Sequence, residues 1–136
     1  MEDFKDAAIR QYKDAILLYK YKRLATCDHL LGLAGECALK AVLGNIEPNL
    51  YTKKEYKVHI DKFWDVFISF TNSPLGAKYN GLLVSNFNDN PFKDWSISQR
   101  YYHHTYFSSH KINKHGKATR YIIRNLLQQA IIDGVL

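Results

Sequence analysis

Cysteine, proline and methionine are scarce in this chain: two, three and one among 136 residues. That scarcity excludes a disulfide scaffold and a proline-rich linker. Cys27 and Cys37 fall on one expected helix with Cα atoms about 15 Å apart, beyond the ~7 Å reach of a disulfide. Both are expected as free thiols, Cys37 as a small buried residue among Leu33, Ala34 and Ala38. No hydrophobic run approaches the ~20 residues that cross a bilayer. The start, Met-Glu-Asp-Phe-Lys-Asp, lacks the basic and then apolar pattern of a secretory signal. A soluble, cytoplasmic protein away from membranes is expected. The most informative absence is acidic. Between Trp95 and Ile132 there is no Asp or Glu, while the same stretch holds six of the nineteen Lys and Arg and four of the six His.

What is present describes a folded domain. Apolar residues make up 46% and charged residues 24%, proportions that exclude disorder and low complexity. A length of 136 residues predicts a single domain spanning 1–136. The formal charge of +6 favours polyanionic partners, RNA or a nucleotide, over neutral or acidic ones.

Helical periodicity dominates. Phe4, Ala8, Tyr12, Ala15, Ile16 and Tyr19 mark a first amphipathic helix from Asp3 to about Tyr21. Cys27, Leu31, Ala34, Ala38, Ala41 and Val42 mark a second from Leu24 to Leu43, closed by Gly44-Asn45. Residues 45–55 read as a loop. Ile60, Phe63, Trp64, Phe67 and Phe70 mark a third helix, ended by Thr71-Asn-Ser-Pro74, and a short one is expected over Leu75–Val84. The last helix is expected from Asn113, as N-cap, to Asp133. Strict alternation and hairpin signals are absent. The fold class is therefore all-α, an antiparallel bundle of four to five helices, with Tyr101–Phe107 as the one segment whose aromatics also suit a short strand.

The run Trp95-Ser-Ile-Ser-Gln-Arg-Tyr-Tyr-His-His-Thr-Tyr106 combines a fixed cation, imidazoles and stacking rings, a set suited to a phosphate-bearing ligand. Tyr101 and Tyr106 can stack on unpaired bases; two or three of Tyr101, Tyr102, Tyr106 and Phe107 are instead expected to close the core. Lys117, Arg120 and Arg124 lie within about 60° on the last helix at 100° per residue. They can face one anionic surface or simply solvent. His103, His104, His110 and His115 match no zinc spacing, and Gly32-Leu-Ala-Gly35 lies inside a helix and forms no phosphate loop. No metal or other cofactor is expected.

The second helix carries Ala34-Gly-Glu-Cys-Ala-Leu-Lys-Ala41, followed by His59 near the start of the third helix, Trp95 to Tyr101 with its Arg-Tyr, and a long closing helix. In this order the chain resembles HEPN domains over most of its length. The resemblance implies a helical homodimer of prokaryotic toxin-antitoxin or phage-defence systems, with an antitoxin or defence-system partner protein, often a metal-independent endoribonuclease. Catalytic members place four to six residues between Arg and His, whereas two separate Arg100 from His103 and three separate it from His104. If residues 100–104 are helical, Arg100 and His104 share one face. Arg100, His103 and His104 are then the expected catalytic residues, with the arginine stabilising charge on the phosphate and a histidine moving a proton. The alternative is a catalytically inactive HEPN-like module that binds a nucleotide or a protein. Glu36, an acid inside an apolar helix, is expected as a structural residue, with Arg100 as one candidate partner and Lys40 at i+4 as another.

Overall fold

Asp3 accepts a hydrogen bond from the Asp6 backbone N–H at 2.9 Å and so caps helix α1 (Phe4–Lys20). Asp6 then sits at the positive end of the helix dipole and Lys20 at the negative end. The computed structural model describes residues 1–136, the side chain of Leu50 excepted. Its regular structure is helical, with no strand among the described residues. After α1 the chain reverses in three residues. Arg23 N–H reaches the Leu18 carbonyl at 2.9 Å, Lys22 N–H reaches that of Tyr19 at 3.0 Å, and Lys22 adopts φ 59°. A lysine occupies the left-handed position where glycine is usual, at a cost of about 1–2 kcal/mol.

The reversal lays α1 back against α2 (Leu24–Ile46), fourteen of whose 23 residues are buried. That burial explains the composition of α2. Gly32, Ala34, Gly35, Ala38 and Ala41 let neighbouring elements approach on every side, and a helix apolar all round belongs in the middle of a bundle. A single turn, α3 (Pro48–Tyr51), and a 3₁₀ turn (Lys54–Tyr56) break up the expected loop. Helix α4 (Ile60–Thr71) then buries Ile60, Phe63, Trp64, Phe67 and Phe70 at helical spacing. Together with Leu39, Val42, Leu43, Leu83 and Phe92 they form the main core. Helix α5 (Ala77–Val84) contributes Tyr79, whose hydroxyl donates to Asp133 Oδ2 at 3.0 Å and ties it to the far end of the chain.

The closing rod differs from expectation at both its start and its middle. It begins at Ser109, because the Ser108 hydroxyl accepts from Lys111 N–H at 3.3 Å and caps it; Asn113 is interior. Helix α6 (Ser109–Tyr121) widens into a π segment (Ile122–Leu127) and closes as α7 (Gln128–Ile132). The wider turn buries Ile122, Ile123, Leu126 and Leu127 while leaving Arg124 and Asn125 outside. The rod packs across α2, and with α1, α4 and α5 it completes the expected all-α bundle. No helix among the described residues is long and apolar enough to cross a membrane.

The segment joining α5 to the rod positions the polar groups described below. Asn90 Oδ1 accepts from Phe92 N–H and Asn90 Nδ2 donates to the Asp61 carbonyl, both at 2.8 Å, which drives Phe92 and Trp95 into the core. Two 3₁₀ turns follow, Ile97–Tyr101 and His104–Tyr106, separated by extended residues. The Tyr101–Phe107 segment is thus two turns and no strand.

Candidate functional site

The polar centre of the molecule is a buried histidine between two carboxylates. His115 is 0% exposed. Its Nδ1 meets Asp28 Oδ1 at 2.6 Å and its Nε2 meets Asp94 Oδ1 at 2.7 Å. Both ring nitrogens thus face carboxylate oxygens, and neither is left open to a metal. Asp28 Oδ2 also accepts from Gln99 Nε2 at 2.6 Å, and Asp94 Oδ2 pairs with Lys114 Nζ at 2.8 Å. Trp95 Nε1 donates to the Asp28 carbonyl at 3.0 Å, its indole lying on the backbone at Gly32 where a Cβ would overlap Cε2 and Nε1. Burial pushes the Asp94 carboxyl up, but hydrogen bonds from Lys114 and His115 outweigh it and hold the group at about 2.

A carboxyl held below its ordinary 3.8 when folded contributes stability that is complete above that value and is lost as pH falls towards about 2. In urea denaturation at pH 6, 4, 3 and 2, Asp94→Asn is expected to be less stable than the parent at pH 6. The gap should narrow steadily between roughly pH 4 and 2, as the parent's carboxyl takes up its proton. A gap independent of pH would assign the loss to packing.

A second cluster decides between the two candidate partners of Glu36 in favour of Lys40. Arg100 does not reach Glu36. Glu36 pairs with Lys40 Nζ through Oε2 and with His59 Nδ1 through Oε1, both at 3.0 Å, and the Lys40 ammonium lies 5.4 Å from the centre of the Phe63 ring. Cys27 and Cys37 are free and buried. Burial first, and then Asp28 and Glu36 respectively, push each thiol up to about 11, far from the reactive thiolate range.

Arg100, His103 and His104 all lie on the exposed surface. Arg100 rests over the Tyr101 ring at 4.8 Å. The helical premise that would have aligned Arg100 with His104 fails: the 3₁₀ turn stops at Tyr101, and Tyr102 and His103 are extended, with ψ of 152° and 145°. His103 instead caps the following turn, accepting from Thr105 N–H, and its ring lies 4.3 Å from that of His104. Tyr101, Tyr102 and Tyr106 are exposed rather than core-forming, and only Phe107 tucks against the smaller cluster of Ala15, Cys27, Leu31 and Ile112. Tyr106 accepts a hydrogen bond from Lys111 Nζ at 3.0 Å.

Lys117, Arg120 and Arg124 are brought together, all exposed on the rod. With Asn86, Phe87, Tyr121 and Asn125 they line a groove of about 510 Å³. Asn86 Nδ2 donates to the Tyr121 hydroxyl at 2.7 Å, and the Phe87 and Tyr121 rings meet edge to face at 5.5 Å. Lys117 and Arg120 also rim a second, mostly apolar groove of about 390 Å³ between α1, α2 and α6, where Ile16 and Tyr19 are exposed and Tyr12 is half-buried.

Sequence reasoning passed over Asp28, His29, Gln99, Phe87 and Tyr121. A signal for the first two exists: Asp28-His29, Gly32, Glu36 and Lys40 recur every four residues along an otherwise apolar helix, marking a polar stripe. No protein-family model, curated protein or solved structure matches this chain.

Proposed function

We propose that this chain is a HEPN-like RNA-binding protein, a homodimer of a toxin-antitoxin or phage-defence system, which holds unpaired RNA along the outer face of α6 and the π segment. The observation that carries RNA binding is the larger groove. Three cations stand in it beside two aromatic rings and two amides, with no carboxylate among its lining residues. Cations neutralise successive phosphates and release counterions; rings and amides supply stacking and edge contacts for bases that are not paired. The family reading is supported by the all-helical bundle and by the central position of the Ala34–Ala41 core within α2. Binding is favoured over cleavage because Arg100 and His104 are not aligned on one helix.

In fluorescence anisotropy with a single-stranded RNA, the triple variant Lys117→Ala/Arg120→Ala/Arg124→Ala is expected to lose at least about tenfold in affinity. The slope of log K against log salt should flatten by about 2, given ~0.7 per phosphate contact on a single strand. Unchanged affinity and slope would remove this face as the RNA surface. A second reading, a metal-independent endoribonuclease at Arg100, His103 and His104, rests on the 4.3 Å approach of the two imidazoles on the exposed segment beside Arg100. The same RNA incubated in EDTA decides between them. Recovery intact supports binding; cleavage that disappears in Arg100→Ala/His104→Ala establishes the enzyme.

A further inference from the structure

The 3₁₀ turn Ile97–Tyr101 seats Arg100 beside the first turns of α2, leaving a cleft of about 100 Å³ lined by Ala25, Thr26, His29, Gln99 and Arg100. Gln99 is already committed at both ends, to Asp28 Oδ2 and to Ser96 N–H. The other polar groups are not. Arg100 enters no ion pair among the described residues. His29 stacks on the buried Trp95 indole, 5.9 Å between ring centres, and its Nδ1 is buried without a hydrogen-bond partner. An orphaned buried N–H is rarer and more costly than a bare lone pair. The ring proton therefore belongs on Nε2, the nitrogen left to the cleft.

The lining groups all donate: a guanidinium, an imidazole N–H and the Thr26 hydroxyl. Helix α2 starts at Arg23 without a side-chain cap, so its first-turn N–H groups add positive potential to the same place. The nearest carboxylate, Asp28, lies behind Gln99 and is already held by His115. The cleft, about 100 Å³ and open to solvent on one side, has room for a group the size of a phosphate.

We propose that this cleft binds the phosphate group of a nucleotide through Arg100, His29 and Thr26. On the RNA reading above, on which only this last step rests, the ligand is the phosphorylated end of the strand. The state of His29 suits the role. Burial lowers its imidazole below the ordinary 6.5, Arg100 lowers it further against an opposing pull from Asp28, and His59 adds a smaller push in the same direction as Arg100. The ring is thus a neutral donor beside a fixed cation.

The test follows the His29 ring in ¹H–¹⁵N spectra while inorganic phosphate, 5′-AMP or adenosine is added. Phosphate and 5′-AMP are expected to shift His29 saturably and adenosine to leave it in place. Arg100→Ala, a change at an exposed residue, should weaken 5′-AMP binding at least tenfold, and His29→Gln at least fivefold, with thermal melts confirming that both variants are folded. A His29 resonance unmoved by phosphate, or moved equally by adenosine, overturns the proposal. A second arm compares an RNA oligonucleotide bearing a 5′- or 3′-phosphate with its hydroxyl-ended form, the phosphorylated form expected to bind at least fivefold tighter. If RNA binds without regard to its ends, the phosphate-end assignment fails and the groove reading stands. If phosphate binds and RNA does not, the groove reading fails and the cleft remains a nucleotide site.

Discussion

His115→Ala is expected to lower the unfolding free energy by about 3–5 kcal/mol, the range for breaking a buried acid–base pair by removing one partner. The physical reason lies less in the lost attraction than in what remains. Asp28 is 2% exposed and its buried carboxyl would be left with only Gln99 to satisfy it, while the space left by an imidazole stacked against Phe92, 5.7 Å between ring centres, becomes a cavity. Asp28→Ala alone should cost a similar amount by stranding one side of the histidine. The double variant Asp28→Ala/His115→Ala should then cost less than the sum of the two, by at least about 1.5 kcal/mol, because neighbours in one network couple. Urea denaturation of the four proteins gives the cycle. Strict additivity would mean that the two residues act independently, and a loss below about 1 kcal/mol for His115→Ala would reduce the network to ordinary packing.

Gly32→Ala is expected to cost about 3 kcal/mol or more, at the upper end of overpacking, although alanine is the better helix former by about 1 kcal/mol. The added methyl would occupy the place of the Trp95 indole, 1% exposed and hydrogen-bonded to the Asp28 carbonyl. The α2 backbone cannot recede and Trp95 must move, taking the neighbouring Asp94 contact and the Gln99 turn with it. Gly81→Ala provides the opposite sign. It lies in α5 with open space where its Cβ would project, and it should gain about 0.5–1 kcal/mol. Thermal melts with tryptophan fluorescence check both: Gly32→Ala should melt earlier and emit further to the red as the indole meets water. If both substitutions change stability in the same direction, close packing at Gly32 is not what governs the difference.

The bundle was legible because periodicity is local. Phe63, Trp64, Phe67 and Phe70 declare the buried face of α4 without reference to any other helix, and the small residues of α2 announce a central position. The site was legible only in part, because its geometry depends on partners distant in sequence. Glu36 visibly required a counter-charge, and Lys40 one turn on was legible, but that His59 and not Arg100 joins it is decided by tertiary packing. Asp28 lies on the polar stripe of α2, but nothing local names His115 and Gln99, which arrive from elsewhere, as its partners. The Arg100–His104 alignment depended on one helix continuing through residues whose backbone is extended, an outcome set by the capping bond from Thr105 N–H to His103. Ser108 competed with Asn113 for the start of the last helix, and a serine followed three residues on by Lys111 gave no capping-box signature to decide between them. The π segment has no sequence signature of its own.

The bond between Asp28 and His115 spans 87 residues, and that separation imposes an order of assembly. Helices α1 and α2 can pair as soon as the turn at Lys22 forms, since their contacts are close in the chain. The acid on α2, however, lacks its histidine partner until the last helix has been made. During synthesis the α1–α2 hairpin must therefore wait with its inner face open, and docking of the closing rod both covers that face and completes the fold. Contacts of such long range make the final step slow relative to hairpin formation, and an apolar face exposed for that interval is where a chaperone would act.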